Sequence, residues 1–450
     1  MKTLPMTRLP FVLSLLVACC LNPAFAKQTD AAKLGSTLTP MGAESAANAD
    51  GSIPAWSGGL KPGAASVSPS GNYADPFAAE KPLYVVDKNN LAHYKAQLSP
   101  GQQAMFARYP DYRMRVFPTH RTARMPQKYQ DQSRSNLTAV TLDQSGYALK
   151  GYQFGVPFPQ PTEALEVLWN HLTRYRGGAV RREFASAVVQ ARGDNTVVTY
   201  DALSAFRENV KGVEPDANLL YFTRVLTLTP SRYSGEVTLI QEPLNQMAES
   251  RAAWQYIPGQ RRVRRAPTVA YDNSARYSFG QVISDSVDGY NGAPDRYDWK
   301  LVGKQEMLVP YNSYAVHQQG IPYDSILQRD TVNPQLLRYE LHRVWVVEAD
   351  LRKGFSHPYA KRRFYIDEDS WQVLAVDLYD KAGELIGVQE SHPISYYDVP
   401  MFGSTLETIY DFKGKRYFVD GLDNNEPMYN FKAQLSPRDF TPQALRREGN

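Results

Sequence analysis

Seven histidines, His93, His120, His171, His317, His342, His357 and His392, are the first candidates for metal chemistry. None stands three or four residues from another, and no HExxH occurs, so a zinc site on one helix face is not expected. Asp285, Asp288, Asn291, Asp295 and Asp298 surround Gly289 and Gly292. Oxygen ligands in a glycine-rich loop suit Ca²⁺, but the spacing is not that of an EF-hand, and capping within a solvated loop is the expectation. Asp367, Glu368 and Asp369 are adjacent carboxylates of the kind that do acid/base work. They fall in a predicted turn, where solvent exposure is expected. No GxSxG, SxxK, GxGxxG or P-loop is present, so the sequence points to no nucleophile and no cofactor. The strongest charge cluster is Arg261, Arg262, Arg264 and Arg265. Guanidinium groups at a strand end suit the carboxylates or phosphates of a partner, or serve as a solvated edge that blocks aggregation.

The elements that must position these residues are mostly strands. Lys361–Glu390 reads as three of them, Arg363–Ile366, Trp371–Tyr379 and Glu384–Gln389, joined by the turns Asp367–Ser370 and Asp380–Gly383. Turns this short force antiparallel neighbours. Trp371, Val373 and Ala375 point one way and Leu374, Val376 and Leu378 the other, which predicts a strand covered on both faces. Further hairpins are expected at Phe184–Ala191 with Thr196–Tyr200, Leu220–Leu228 with Glu236–Gln241, Ala253–Ile257 with Arg261–Arg265, and Thr405–Tyr410 with Arg416–Val419. Asp298–Val309 and Arg338–Leu351 read as long strands. The fold class is therefore mainly β with a few helices: a large curved antiparallel sheet, open or part-closed.

Helices are fewer. Residues 86–109 read as helical, with Ser99, Pro100 and Gln102 forming a capping box. Thr162–Tyr175 is the clearest helix, with Thr162 as cap and Leu165, Leu168, Trp169, Leu172 and Tyr175 as its apolar stripe. Thr441 and Pro442 start a short terminal one.

The N-terminus carries a basic region with Lys2 and Arg8, an apolar run Leu9–Leu21, and Ala24-Phe25-Ala26, the pattern of a secretory signal cut after Ala26. Leu16-Val17-Ala18-Cys19 offers a rival, lipobox-like cut that would leave a lipidated Cys19. The two cysteines, Cys19 and Cys20, both lie inside the signal, so disulfides are not expected. Net charge is +4, falling to +2 without Lys2 and Arg8, too weak for a nucleic-acid footprint over the whole surface. Residues 27–80 are rich in Ala, Gly, Ser and Pro and read as an extended arm. The expected organisation is a signal peptide (1–26), an N-terminal arm with short helices (27–130) and one antiparallel β-domain (131–450).

Leu38–Leu60, Trp254–Pro267, Tyr297–Gly303 and Tyr365–Leu374 resemble the exported Gram-negative family of unknown function that carries the label outer membrane lipoprotein-sorting protein. The meander Tyr365–Glu390 is similar, more locally, to the LolA/LolB-like lipoprotein-carrier superfamily. That resemblance implies a half-barrel lidded by helices that shelters acyl chains, with an RND-type exporter or outer-membrane protein as a partner. The expected function is non-covalent carriage, in the periplasm, of a lipid, acyl chain or hydrophobic metabolite, without catalysis. Leu165, Leu168, Trp169, Leu172, Trp254, Trp345 and Trp371 are the candidate ligand-binding residues, and Arg261, Arg262, Arg264 and Arg265 the candidate partner-binding ones. A structural adaptor of an envelope transport complex, or a hydrolase of envelope lipid or polysaccharide, would be the other classes.

Overall fold

The computed structural model describes residues 30–67, 72–266, 271–275 and 277–449. The expected signal segment, with Cys19 and the cut after Ala26, lies outside them. Before the main sheet come β1 (Tyr84–Val86), α1 (Leu91–Tyr94), α2 (Pro100–Arg108), β2 (Met114–Val116), α3 (Gln127–Ala139), the hairpin strands β3 (Thr141–Leu142) and β4 (Leu149–Lys150), and α4 (Ala164–Thr173). A first meander follows: β5 (Ala179–Val189), β6 (Asn195–Phe206), β7 (Tyr221–Thr229), β8 (Val237–Glu242), β9 (Ala252–Ile257) and β10 (Arg262–Arg265). The second meander is β11 (Tyr297–Pro310), β12 (Tyr339–Leu351), β13 (Lys361–Asp367), β14 (Val373–Tyr379), β15 (Leu385–Tyr396), β16 (Met401–Asp411) and β17 (Arg416–Leu422). α5 (Tyr314–His317) and α6 (Tyr323–Ile326) lie between β11 and β12, and α7 (Pro442–Glu448) ends the chain.

Each meander pairs its strands in chain order, and β17 then pairs antiparallel with β5, so the two form one sheet with β11 and β10 at its ends. β1 and β2 attach beside the end of β12, where Val116 pairs in parallel with Tyr339. The sheet is not closed into a barrel. Its curvature follows from packing. Two neighbouring residues bridge distant strands: the Tyr221 hydroxyl of β7 donates to Asn291 Oδ1 at 2.6 Å, and the Tyr290 ring meets that of Phe364 of β13 at 5.6 Å, although β7 and β13 stand seven strands apart in the pairing order. A flat sheet would hold them roughly 33 Å apart at about 4.8 Å per strand. The two strands are drawn together on the face that carries Phe364, Val376, Val188, Phe418 and Phe206, which share one apolar cluster, and that face is therefore concave.

α4 fills one half of that concavity, packed against β11 and β12, with Val167, Leu168, Trp169 and Leu172 in the core. The helix is two residues shorter at each end than its stripe predicts. Glu163, not Thr162, is the N-cap and makes no side-chain capping bond. The Thr162 amide instead donates to Glu166 Oε2 at 2.7 Å. The expected helix over 86–109 is also broken. Pro100 forces Ser99 into an extended conformation, φ −66° and ψ 156°, so the chain must restart there. The capping box of Ser99 and Gln102 is present.

α2 covers the convex face over β14 and β15. Gly101 is required here: a Cβ would lie 2.4 Å from Asp377 Oδ1 and 2.6 Å from Val388 Cγ2. The Ser99 hydroxyl and Gly101 amide donate to Asp377 at 2.7 and 2.8 Å, and Gln102 Nε2 donates to Glu390 at 2.9 Å. Burial pushes the Asp377 carboxyl up to about 6 and the Glu390 carboxyl up to about 7, against these donors. A carboxyl raised in the folded state stabilises fully below its unfolded value, near 4, and that contribution is lost as pH rises through the folded value. His171 and His392, held near 3 by burial, act in the opposite direction. The comparison with Glu390→Gln isolates the carboxyl. The melting temperature of the wild type relative to this variant should fall from pH 5 to pH 8, and a constant difference would contradict this.

The strand expectations hold closely. The imperfect alternation of β14 has a local cause, a bulge where Tyr365 pairs with Ala375 but Ile366 with Val373. Val376 and Leu378 belong to the concave-side cluster that also holds α4, while Leu374 and Ala375 belong to a second cluster on the convex side.

Candidate functional site

α4 covers only part of the concave face, and beyond it a cavity of about 690 Å³ stays open. That is within the range of roughly 300–1,000 Å³ usual for small-molecule sites. Its floor is built from β5, β6, β7, β8, β16 and β17, and residues 273–275 and 277–291 overhang it. Strand alternation explains the lining: Val180, Arg182, Phe184 and Ser186 are successive inward residues of β5, and Tyr221, Thr223, Val225 and Thr227 of β7. Phe184, Val198, Tyr200 and Ala202 form an apolar cluster there, with Val225 and Tyr277 against it.

The charged groups of the cavity gather near its junction with α4. Arg174, just past the helix end, ion-pairs with Asp288 and donates to Gln372 Oε1 at 2.7 and 3.0 Å. Arg176 reaches the other Asp288 oxygen at 3.0 Å. These cations overcome burial and hold the Asp288 carboxyl well below the usual range. Glu407 of β16 accepts the Asp288 amide at 3.0 Å, and Asp420 of β17 is its direct cross-strand partner. Burial pushes both carboxyls up, Asp420 to about 6. At the other side Arg251 pairs with Glu242, and Tyr271 donates to the same carboxylate at 2.6 Å. Among the described residues no histidine, lysine or cysteine lines the cavity.

A second opening, a cleft of about 1280 Å³, lies between the N-terminal arm, Leu137–Gly146 and α4. Its walls are mostly loop, with Lys33, Glu44, Glu163, Glu166 and Lys304 among them, so it offers a less continuous apolar surface than the strand-floored cavity.

The candidate residues read from the sequence are dispersed. Leu165 and Trp345 line the cleft. Leu168, Trp169, Leu172 and Trp371 are buried in the core; the Trp345 and Trp371 rings stack 6.3 Å apart. Trp254 packs with the cluster under α7, and Arg265 lies 5.0 Å over its ring. None of the seven lines the concave cavity. Arg261, Arg262, Arg264 and Arg265 are exposed at and beside β10, an end strand of the sheet.

Two expectations about carboxylates are corrected. Asp367, Glu368 and Asp369 are buried, not solvated. Asp369 takes two bonds from Arg121, at 2.7 and 2.8 Å, and Glu368 pairs with Lys304 at 2.8 Å. The arm lies over this turn: the carbonyls of Glu44 and Pro54 accept from Arg121, and that of Ala46 from Arg343. Asp285 is likewise buried rather than a solvated loop cap, paired with Arg362 and with His357 at 3.1 Å. His342, Asp367 and Asp369 place ligand atoms within 4.8 Å of one another, but Asp369 is already committed to Arg121.

No helix among the described residues is long and apolar enough to cross a membrane. The model of the DUF1329 family, proteins of unknown function, matches residues 85–446. The chain is 48% identical over 424 residues to an uncharacterized protein of Pseudomonas aeruginosa, covering 93% of each. Among solved structures it is similar to an outer membrane lipoprotein-sorting protein domain from Vibrio parahaemolyticus: 14% identity, 63% of this chain and 98% of that one, TM-score 0.45. A DUF1329 family protein from Desulfovibrio piger follows, at 15% identity, 59% and 91% coverage and TM-score 0.42. A LolA superfamily protein from Nitrosomonas europaea has 13% identity, 62% and 98% coverage and TM-score 0.39.

Proposed function

The chain belongs to the DUF1329 family of proteins of unknown function, and from that premise we propose that it is a periplasmic carrier of an apolar ligand, a lipid, acyl chain or hydrophobic metabolite. The observation that carries this reading is the cavity of about 690 Å³ left open on the concave face beside α4. Protein interiors ordinarily pack to crystal-like density. An apolar space of this size, floored by strands, is one an apolar chain would fill, with burial contributing about 25 cal/mol per Å². The cavity's arginines Arg174, Arg176 and Arg251 are held by carboxylates, which leaves the strand-floored wall of Phe, Tyr, Val and Thr side chains to meet an apolar chain. Equilibrium uptake of the apolar fluorophore N-phenylnaphthylamine tests it. Saturable uptake, displaced by long-chain alcohols, is expected; the absence of saturable uptake would remove the carrier reading.

The arginines of β10 are assigned to an anionic partner, with an RND-type exporter or an outer-membrane protein as the partner class. Their exposure at a sheet end leaves the guanidinium groups free to meet carboxylates or phosphates. Reversing Arg261, Arg262, Arg264 and Arg265 to Glu should leave folding intact and weaken association with isolated envelope membranes in a salt-dependent way. Unchanged association would return the cluster to surface solubility.

A further inference from the structure

Two carboxylates face each other across the floor of the cavity. Glu407 and Asp420 are direct register partners on β16 and β17, and both line the open space. Like charges directly opposite on a sheet destabilise it, and here they do so in a largely apolar surround. The nearby cations do not neutralise them. Arg174 and Arg176 are taken by Asp288. Arg182, an inward residue of β5, senses both carboxylates at longer range and lies 4.3 Å from the centre of the Phe184 ring; among the described residues it forms no ion pair with either. Glu407 spends one oxygen on the Asp288 amide. The remaining acceptors point to a ligand that brings donors and positive charge.

We propose that the cavity selects amphiphiles bearing a protonated amine, seated with the ammonium group between Glu407 and Asp420 and the hydrocarbon chain along Phe184, Tyr200 and Val225. The proposal rests on the carrier reading and adds its ligand class. An ammonium group is a compact charge with three N–H donors and no acceptor, which matches two carboxylates with unspent oxygens. A carboxylate or sulfate head would meet like charge at the same place, and among the described arginines of the cavity Arg182 alone is not already ion-paired to compensate. The amine could belong to a free long-chain amine or to an ethanolamine lipid headgroup.

Displacement of N-phenylnaphthylamine by dodecylamine, dodecanol and dodecanoate, each below its micelle concentration, tests this. Dodecylamine should bind at least about tenfold tighter than dodecanoate, the scale of one charge-assisted hydrogen bond in a dry site. In the Glu407→Gln/Asp420→Asn variant that ratio should fall to within about twofold, because neither of the two facing carboxylates remains to tell the heads apart, and Asp288 is held by Arg174 and Arg176. Each single replacement should lower it partway, which keeps the test open if the double variant does not fold. Equal or tighter binding of dodecanoate, or a preference that survives both replacements, would overturn the proposal. Displacement by dodecanol without any amine preference would overturn it and leave the carrier reading standing, whereas no displacement by any of the three would remove both. Lysophosphatidylethanolamine in the same assay separates the sources: binding as tight as dodecylamine assigns the headgroup lipid, and weaker binding assigns the free amine.

Discussion

Asp285→Ala is expected to lower the free energy of unfolding by about 3–5 kcal/mol, the usual effect of removing one partner of a buried ion pair. Arg362 is 1% exposed and so is Asp285. Arg362 also donates to the Tyr297 hydroxyl at 2.8 Å and lies over the Tyr290 and Tyr297 rings. Burial alone would raise the Asp285 carboxyl, yet Arg362 and His357 hold it at about 2. Truncation leaves the guanidinium in the interior with no countercharge. Replacing both partners, as Asp285→Leu with Arg362→Met, should cost much less than the single change. Urea unfolding checks this, and a single-variant loss below about 1 kcal/mol would contradict it, that being the range of exposed pairs. The pair also ties the segment overhanging the cavity to β13, so its loss should loosen the cavity's cover before the strands themselves.

Val225→Trp is expected to reduce uptake of the apolar fluorophore by about tenfold or more while leaving stability within about 1 kcal/mol. Val225 pairs with Ala202 and Thr238 and turns into the open space near Phe184 and Tyr200. An added indole there occupies volume that the ligand would use, and it enters a gap rather than a packed neighbour. Leu168→Trp is the contrasting change. Leu168 is fully buried in the cluster around Trp169 and Trp371, where overpacking typically costs about 1–3 kcal/mol. Equal destabilisation by both substitutions, with uptake unchanged, would mean that the cavity is not the binding space.

The strands were legible in the sequence because their signals are local. Alternation with short turns containing Gly or Asn set the hairpins of β5 with β6 and of β16 with β17 to within a few residues at most ends. The stripe Leu165–Leu172 marked α4 and its buried face. What was not legible depends on partners far away in the chain. The turn Asp367–Ser370 reads as exposed because nothing near it announces Arg121 and Lys304, which meet its carboxylates. The lining of the cavity was hidden for a related reason. Its β5 lining, Val180, Arg182, Phe184 and Ser186, mixes polar and apolar residues and reads as a half-solvated strand face. Only the pairing of β17 with β5 brings that face beside β16. Of the candidate tryptophans, Trp169, Trp345 and Trp371 belong to the packed half of the concavity, whereas the open half is walled largely by Phe, Tyr, Val and Thr.

The position of a bound chain decides the account most directly. A crystal structure of the protein with a terminally brominated long-chain amine would locate the bromine by its anomalous signal. The account predicts a single peak within the cavity near Phe184, Tyr200 and Val225, with the nitrogen toward Glu407 and Asp420. A peak in the cleft beside Leu165 and Trp345, with the concave cavity vacant, would contradict it.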